Sequence, residues 1–169
     1  MAKILGSWSA MKHYLEEEML CESLRGRVRY SCTAYPNMDG CKIFEIYTDG
    51  KLFERFSWET VNSYFIKNGL KDNNEPRGRL EYWDGFHNVL SRIPPEKRSE
   101  YTDNEFASAL EFYRSNPIKA SLASDNPVIV MFALLDRRCG KRSLKEFEKK
   151  LGNFPERITE IYKLRIQSG

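Results

Sequence analysis

The sequence predicts an α+β fold: an N-terminal helix, a three-stranded antiparallel meander, then a mainly helical C-terminal half. Three observations carry this reading. The stretch Arg27 to Tyr35 alternates apolar and polar residues, the pattern of a half-buried strand. Asp49-Gly50 separates two further extended runs, the strongest short hairpin signal. From Ser57 onward, apolar residues recur at helical spacing behind a series of cap residues.

Taken in order, Ser7 caps a helix running to about Leu20, with Trp8, Met11, Leu15 and Met19 on one apolar stripe and Glu16, Glu17 and Glu18 on its wet side. In the first strand Val28, Tyr30, Cys32 and Ala34 face one way, and Arg27, Arg29, Ser31 and Thr33 the other. Pro36 to Gly40 is turn chemistry. Strands from Cys41 to Thr48 and Lys51 to Phe56 follow, joined by a type I′ turn. A regular two-residue hairpin sets Thr48 opposite Lys51, Tyr47 opposite Leu52, Ile46 opposite Phe53, Phe44 opposite Arg55, Ile43 opposite Phe56 and Glu45 opposite Glu54. Like charges facing each other destabilise a sheet. Either Arg27 or Arg29 on the neighbouring strand neutralises that pair, or Glu45 and Glu54 form a carboxylate site for acid/base work or cation binding. A bulged turn would abolish the pairing.

Ser57 caps a second helix carrying Trp58, Val61 and Phe65, stopped by Asn68-Gly69. After a polar loop at 70–78, a helix from about Arg79 to Arg92 uses Leu80, Trp83, Phe86 and Leu90, and Pro94-Pro95 ends it. Thr102 and Glu105 form a capping box ahead of Phe106, Leu110 and Tyr113. Asn116-Pro117 and Asn126-Pro127 each place a cap before a proline suited to the first helical position. The second opens Val128 to Leu135, apolar all round, read as a central buried helix. Ser143 and Glu146 form a further capping box, and Pro155 starts a last helix. The chain reads as a single domain of residues 1–169, with a second reading as two packed lobes, 1–69 and 79–169.

Composition narrows function by exclusion. The 169 residues are 41% hydrophobic and 30% charged, with 27 Lys+Arg against 24 Asp+Glu. A net charge of +3 is too small for a broadly basic nucleic-acid reader. Val128 to Leu135 is the longest apolar run, far short of a membrane span. The opening residues make no signal peptide, which points to the cytoplasm and to reduced thiols at Cys21, Cys32, Cys41 and Cys139. Two histidines and the absence of any C-x2–4-C pair argue against a zinc site. Cys32 and Cys41 on neighbouring strands are either a metal or redox pair or small buried hydrophobes. No cofactor motif is present.

Position sharpens the charge. From Asp136 to Lys150 there are seven positive and three negative side chains. Structurally, Arg137 and Arg138 end a helix, where cations suit the dipole, and Asp136 pairs with one of them. Functionally, Arg137, Arg138, Lys141, Arg142 and Lys145 beside the next helix start suit an acidic protein, a phosphate-containing ligand or a nucleic-acid backbone. Cys139 beside these cations would be a thiol with a lowered pKa. A second candidate is the segment around Trp83 and His87, read either as core aromatics or as a pocket wall. No catalytic triad or nucleophile motif is found. A non-enzymatic binding protein leads. A small enzyme with a site near Glu45/Glu54 or Trp83/His87 is the alternative, and a sequence-independent nucleic-acid binder a third.

Two segments resemble a known family. They are Trp8-Ser9-Ala10-Met11-Lys12 with Leu20-Cys21-Glu22-Ser23-Leu24-Arg25-Gly26-Arg27-Val28, and Leu134-Leu135-Asp136-Arg137-Arg138-Cys139-Gly140-Lys141-Arg142. Both look like an uncharacterised family of small bacterial proteins whose members carry W-S-x-x-K, L-C-x-S-L-x-G-R-V and L-x-D-R-R-x-G-K-R. The likeness covers both ends, about half the chain, and no part of 57–115. It implies a bacterial cytosolic protein with its two ends joined in one fold. It supplies no activity, cofactor or partner.

Overall fold

The computed structural model describes residues 6–34, 40–72, 74 and 76–169. The expected turn from Pro36 to Gly40 lies, apart from Gly40, outside the described residues. Ser7 caps the first helix as its sequence dictates: its Oγ accepts the Ala10 N–H (3.2 Å), and α1 spans Trp8–His13. A π-helical turn, Tyr14–Glu18, continues it. Glu16, expected on the wet side, is buried. The first strand is a sheet edge whose outward N–H groups need acceptors. Glu16 supplies one, taking the Tyr30 N–H on Oε1 (2.7 Å) and the Arg29 guanidinium on Oε2 (2.8 Å).

Three strands, β1 (Val28–Ala34), β2 (Lys42–Thr48) and β3 (Lys51–Phe56), form one antiparallel sheet in that order. Asp49 (φ 51°) and Gly50 (φ 77°) both take left-handed backbone, as a type I′ turn demands. Arg27 pins the turn with two hydrogen bonds to the Asp49 carboxylate (2.8 and 3.0 Å).

The hairpin register holds for two pairs and then shifts. Thr48 faces Lys51 and Tyr47 faces Leu52, after which Ile46 faces Glu54, Glu45 faces Arg55 and Phe44 faces Phe56. The expected pairs Ile46/Phe53, Glu45/Glu54, Phe44/Arg55 and Ile43/Phe56 do not form. Phe53 is the extra residue of a β-bulge, and Phe53 and Glu54 are both buried where a regular strand would bury one. The bulge removes the carboxylate clash and sets Glu45 beside Arg55.

The helices follow: α2 (Trp58–Lys67), α3 (Leu80–Arg92), α4 (Asp103–Ser115), α5 (Ile118–Leu122), α6 (Pro127–Leu135), α7 (Lys141–Glu148) and α8 (Glu156–Gln167). The Ser57 cap, the Thr102/Glu105 capping box and the Asn126 cap are all formed. Three local readings change. Leu80 is 78% exposed, because α3 turns Tyr82, Phe86 and Val89 inward instead. Asn116 does not cap; Pro117 itself occupies the cap position of α5. Ser143 lies inside α7, which starts two residues earlier, at Lys141, after Gly140 in extended conformation.

The main core gathers residues from both halves. All nine residues of α6 are buried, packed by α4, α5 and α8. Phe44 stacks on Phe106 (4.3 Å), and Phe106 meets Phe132 edge-on (5.3 Å), so sheet, α4 and α6 share one aromatic column. A smaller cluster, Trp58, Val61, Phe65, Phe86 and Val89, joins α2 to α3. Among the described residues no helix is long and apolar enough to cross a membrane.

Candidate functional site

The basic segment begins where α6 ends. Asp136 closes that helix and is 1% exposed. Its carboxylate accepts the Tyr113 hydroxyl, the Arg138 N–H (2.6 Å) and the Arg138 guanidinium (2.7 Å). These bonds hold the guanidinium above its ordinary value and, behind the larger effect of burial, help push the Tyr113 phenol up. The backbone on either side meets the N-terminal segment: Cys21 N–H donates to Leu135 O (2.9 Å) and Arg137 N–H to Met19 O (2.8 Å). The two motif-bearing ends of the chain are thus bonded to each other. Arg138 serves this junction, as the structural reading expected of one arginine beside Asp136.

The remaining cations spread over α7 and its flanks. Arg137, Lys141, Arg142, Lys145, Lys149 and Lys150 are all exposed. Arg142 pairs with Glu146 (3.3 Å) across one helical turn. No acidic side chain lies within ion-pair distance of Arg137, Lys141, Lys145, Lys149 or Lys150 among the described residues. Lys141 and Arg142 stand in the first turn of α7, which has no acid and no side-chain cap, an arrangement the helix dipole disfavours. Beside them a groove of about 340 Å³ runs between α5 and α7, lined by Leu122, Ala123 and Phe147 together with Lys119, Lys150, Ser143 and Glu146. Cys139 is fully buried, and burial pushes its thiol up to about 11. The expectation of a lowered pKa fails because Arg165, the one cation acting on it, does not offset desolvation.

The second candidate becomes a cavity. A cleft of about 500 Å³ opens between α2, α3 and the start of α4, and both Trp83 and His87 line it. The sequence offered no sign of its other walls. Trp58 comes from α2, with its ring 4.7 Å from Trp83 and nearly perpendicular to it. Asp103 and Glu105 come from the first turn of α4. Glu105 is fully engaged: it accepts the Thr102 N–H (2.8 Å) and both outer nitrogens of Arg98. Asp103 Oδ2 accepts the Lys42 N–H (2.9 Å). The only signal for Asp103 was its place after a cap residue, where an acid is ordinary.

Glu45 and Glu54 part company. Burial alone would raise the Glu45 carboxyl, but hydrogen bonds from Tyr47 and Arg55 hold it below its ordinary value. Arg55, rather than Arg27 or Arg29, neutralises it, with Nε 2.7 Å from Oε1. Glu54 is pushed up to about 8 by burial and by the neighbouring Glu100 charge, against the pull of Arg157, whose Nε is 3.4 Å from Oε2. Cys32 and Cys41 are free and half-buried, and burial raises both thiols. Among the described residues no group of three or more His, Cys, Asp or Glu side chains is placed to hold a metal ion.

A family model matches residues 7–166, from the α1 cap to the last turn of α8. The chain belongs to the SF0329 protein family. That family is uncharacterised, and the match extends across 57–115, which the two end motifs do not reach. No curated protein and no solved structure matches the chain.

Proposed function

We propose that this SF0329 family member is a non-enzymatic binding protein, bacterial and cytoplasmic, that holds an acidic protein segment on the basic face of α7. One observation carries the reading: Arg137, Lys141, Lys145, Lys149 and Lys150 are exposed, with no carboxylate of the described residues within ion-pair distance. Surface cations near acids form pairs of small value; a run left without them projects positive potential and steers an acidic partner. The adjoining groove supports a peptide over a bare phosphate, since Leu122, Ala123 and Phe147 provide apolar contact beside Lys119 and Lys150, and the acid in its lining, Glu146, is paired with Arg142. Arg138 has a different part. With its guanidinium bound to buried Asp136, it anchors the turn that presents α7. The free thiols accord with a reducing compartment. We treat the chain as one domain, since one core draws on its first and last helices.

The test is titration of the full chain with a Glu-rich peptide carrying one central leucine, and in parallel with an oligothymidylate, across a range of salt. The reading predicts peptide binding that weakens about tenfold or more in Lys141→Glu/Lys145→Glu, with the melting temperature unchanged. Tighter oligothymidylate binding with a steep salt slope would replace the protein partner with nucleic acid. Binding of neither would overturn the proposal.

A further inference from the structure

We propose that the cleft between α2, α3 and the start of α4 is a binding site for a small organic cation, a flat apolar body bearing a protonated amine. This inference is independent of the α7 face. The cleft's volume of about 500 Å³ lies within the range of small-molecule sites. Its apolar walls are Trp58, Trp83, Phe86 and Leu90. The two indoles meet edge to face, 4.7 Å apart at 77°; Arg77 lies over the Trp58 ring, and an indole face attracts a cation.

Charge selects among the ligands that would fit. The lining holds two carboxylates, Asp103 and Glu105, and neither lysine nor arginine. Glu105 has both oxygens occupied by Arg98 and the Thr102 N–H. Asp103 does not. It is 4% exposed; its Oδ2 takes the Lys42 N–H, and no hydrogen bond from the described residues holds Oδ1. At the wall of the cleft, that oxygen can accept from an occupant. An ammonium supplies both the donor and the opposite charge. A carboxylate or phosphate ligand would instead meet Asp103 with no lysine or arginine, and His87 alone, in the lining to offset it. The positive end of the α4 dipole, which opposes a cation, is already answered by Asp103 and Glu105 in its first turn. Asn104, Ser108 and Asn126 add polar groups to the lining.

Three phenyl compounds of one shape separate charge from fit: phenethylamine, 2-phenylethanol and phenylacetate. Each is titrated into the full chain by calorimetry, with tryptophan fluorescence as a second readout. Phenethylamine is expected to bind about tenfold tighter than 2-phenylethanol, with phenylacetate weakest. Asp103→Asn keeps an acceptor for the Lys42 N–H and is expected to remove the amine's advantage while leaving the alcohol unchanged. Ser108→Trp, at an exposed position on the rim, fills the cleft and is expected to abolish binding of all three. If Asp103→Asn fails to fold, the ranking in the native chain and the Ser108→Trp result decide. Phenylacetate binding as tightly as phenethylamine, binding that survives Ser108→Trp, or no binding of any probe would overturn the proposal.

Discussion

The α6 core and the α2–α3 layer are built from similar residues and differ in extent. Around α6, Asp136 takes Tyr113 and Arg138, whereas Ser121 Oγ on α5 and Arg165 Nε on α8 are buried with no partner among the described residues. In the α2–α3 layer, Asn62 gives its amide hydrogen to Tyr82 but leaves Oδ1 without a partner. The Lys71 ammonium rests on the Tyr82 ring (3.4 Å) with no hydrogen bond. Five residues make this layer's own cluster, and its outer aromatics border a cleft instead of another element. Local opening of the smaller layer should therefore cost less than opening of the α6 core.

The largest effect should come from the core. Phe132→Ala removes a ring in contact with Tyr30, Phe106 and Tyr113 and should cost about 3–5 kcal/mol. The thermal midpoint should fall by roughly 10 °C. Phe86→Ala in the α2–α3 layer should cost about half as much, because its site adjoins the cleft and can relax. Equal losses for the two would break the comparison. Next comes Glu16→Gln, which keeps shape and one acceptor but removes the charge facing Arg29. It should cost about 1–2 kcal/mol, read as a lower urea midpoint with an unchanged slope.

A pH effect of smaller size belongs to Glu54. Its folded pKa of about 8 lies above its ordinary value of 4.5, so the folded chain holds a proton that the unfolded chain has lost between those values. Glu54's contribution to stability therefore falls as pH rises across that interval and levels off above it. Glu54→Gln should flatten the slope and raise the midpoint by about 2–4 °C near pH 9, read by thermal melts at several pH values. Smallest of all, Lys141→Glu/Lys145→Glu should leave stability within about 0.5 kcal/mol, since neither side chain touches the core.

Local chemistry made much of the fold legible. The Asp49-Gly50 turn, the Ser57 and Asn126 caps and the uniform apolarity of 128–135 act through neighbours in sequence, and each formed as the residues indicate. The failures are tertiary. Nothing near Phe53 announces a bulge; it arises because both Phe53 and Glu54 are drawn inward. Glu16 is buried because an edge strand fourteen residues away needs an acceptor. The Ser143/Glu146 box gave way because the Asp136 turn, tied to Met19 and Cys21, sets where α7 begins. The candidate sites divide in the same way. The basic run is contiguous and could be seen, and Trp83 and His87 are one turn apart on a single helix. Trp58 and Asp103 reach the cleft from elements 25 residues before Trp83 and 20 residues after it, so the cleft's charge could not be read.

Native-state amide hydrogen exchange tests the contrast between the two regions most directly. The account predicts that α6 amides exchange only through global unfolding, while α2 and α3 amides exchange through a local opening that costs clearly less free energy. Equal protection of α2, α3 and α6 at every denaturant concentration would contradict it.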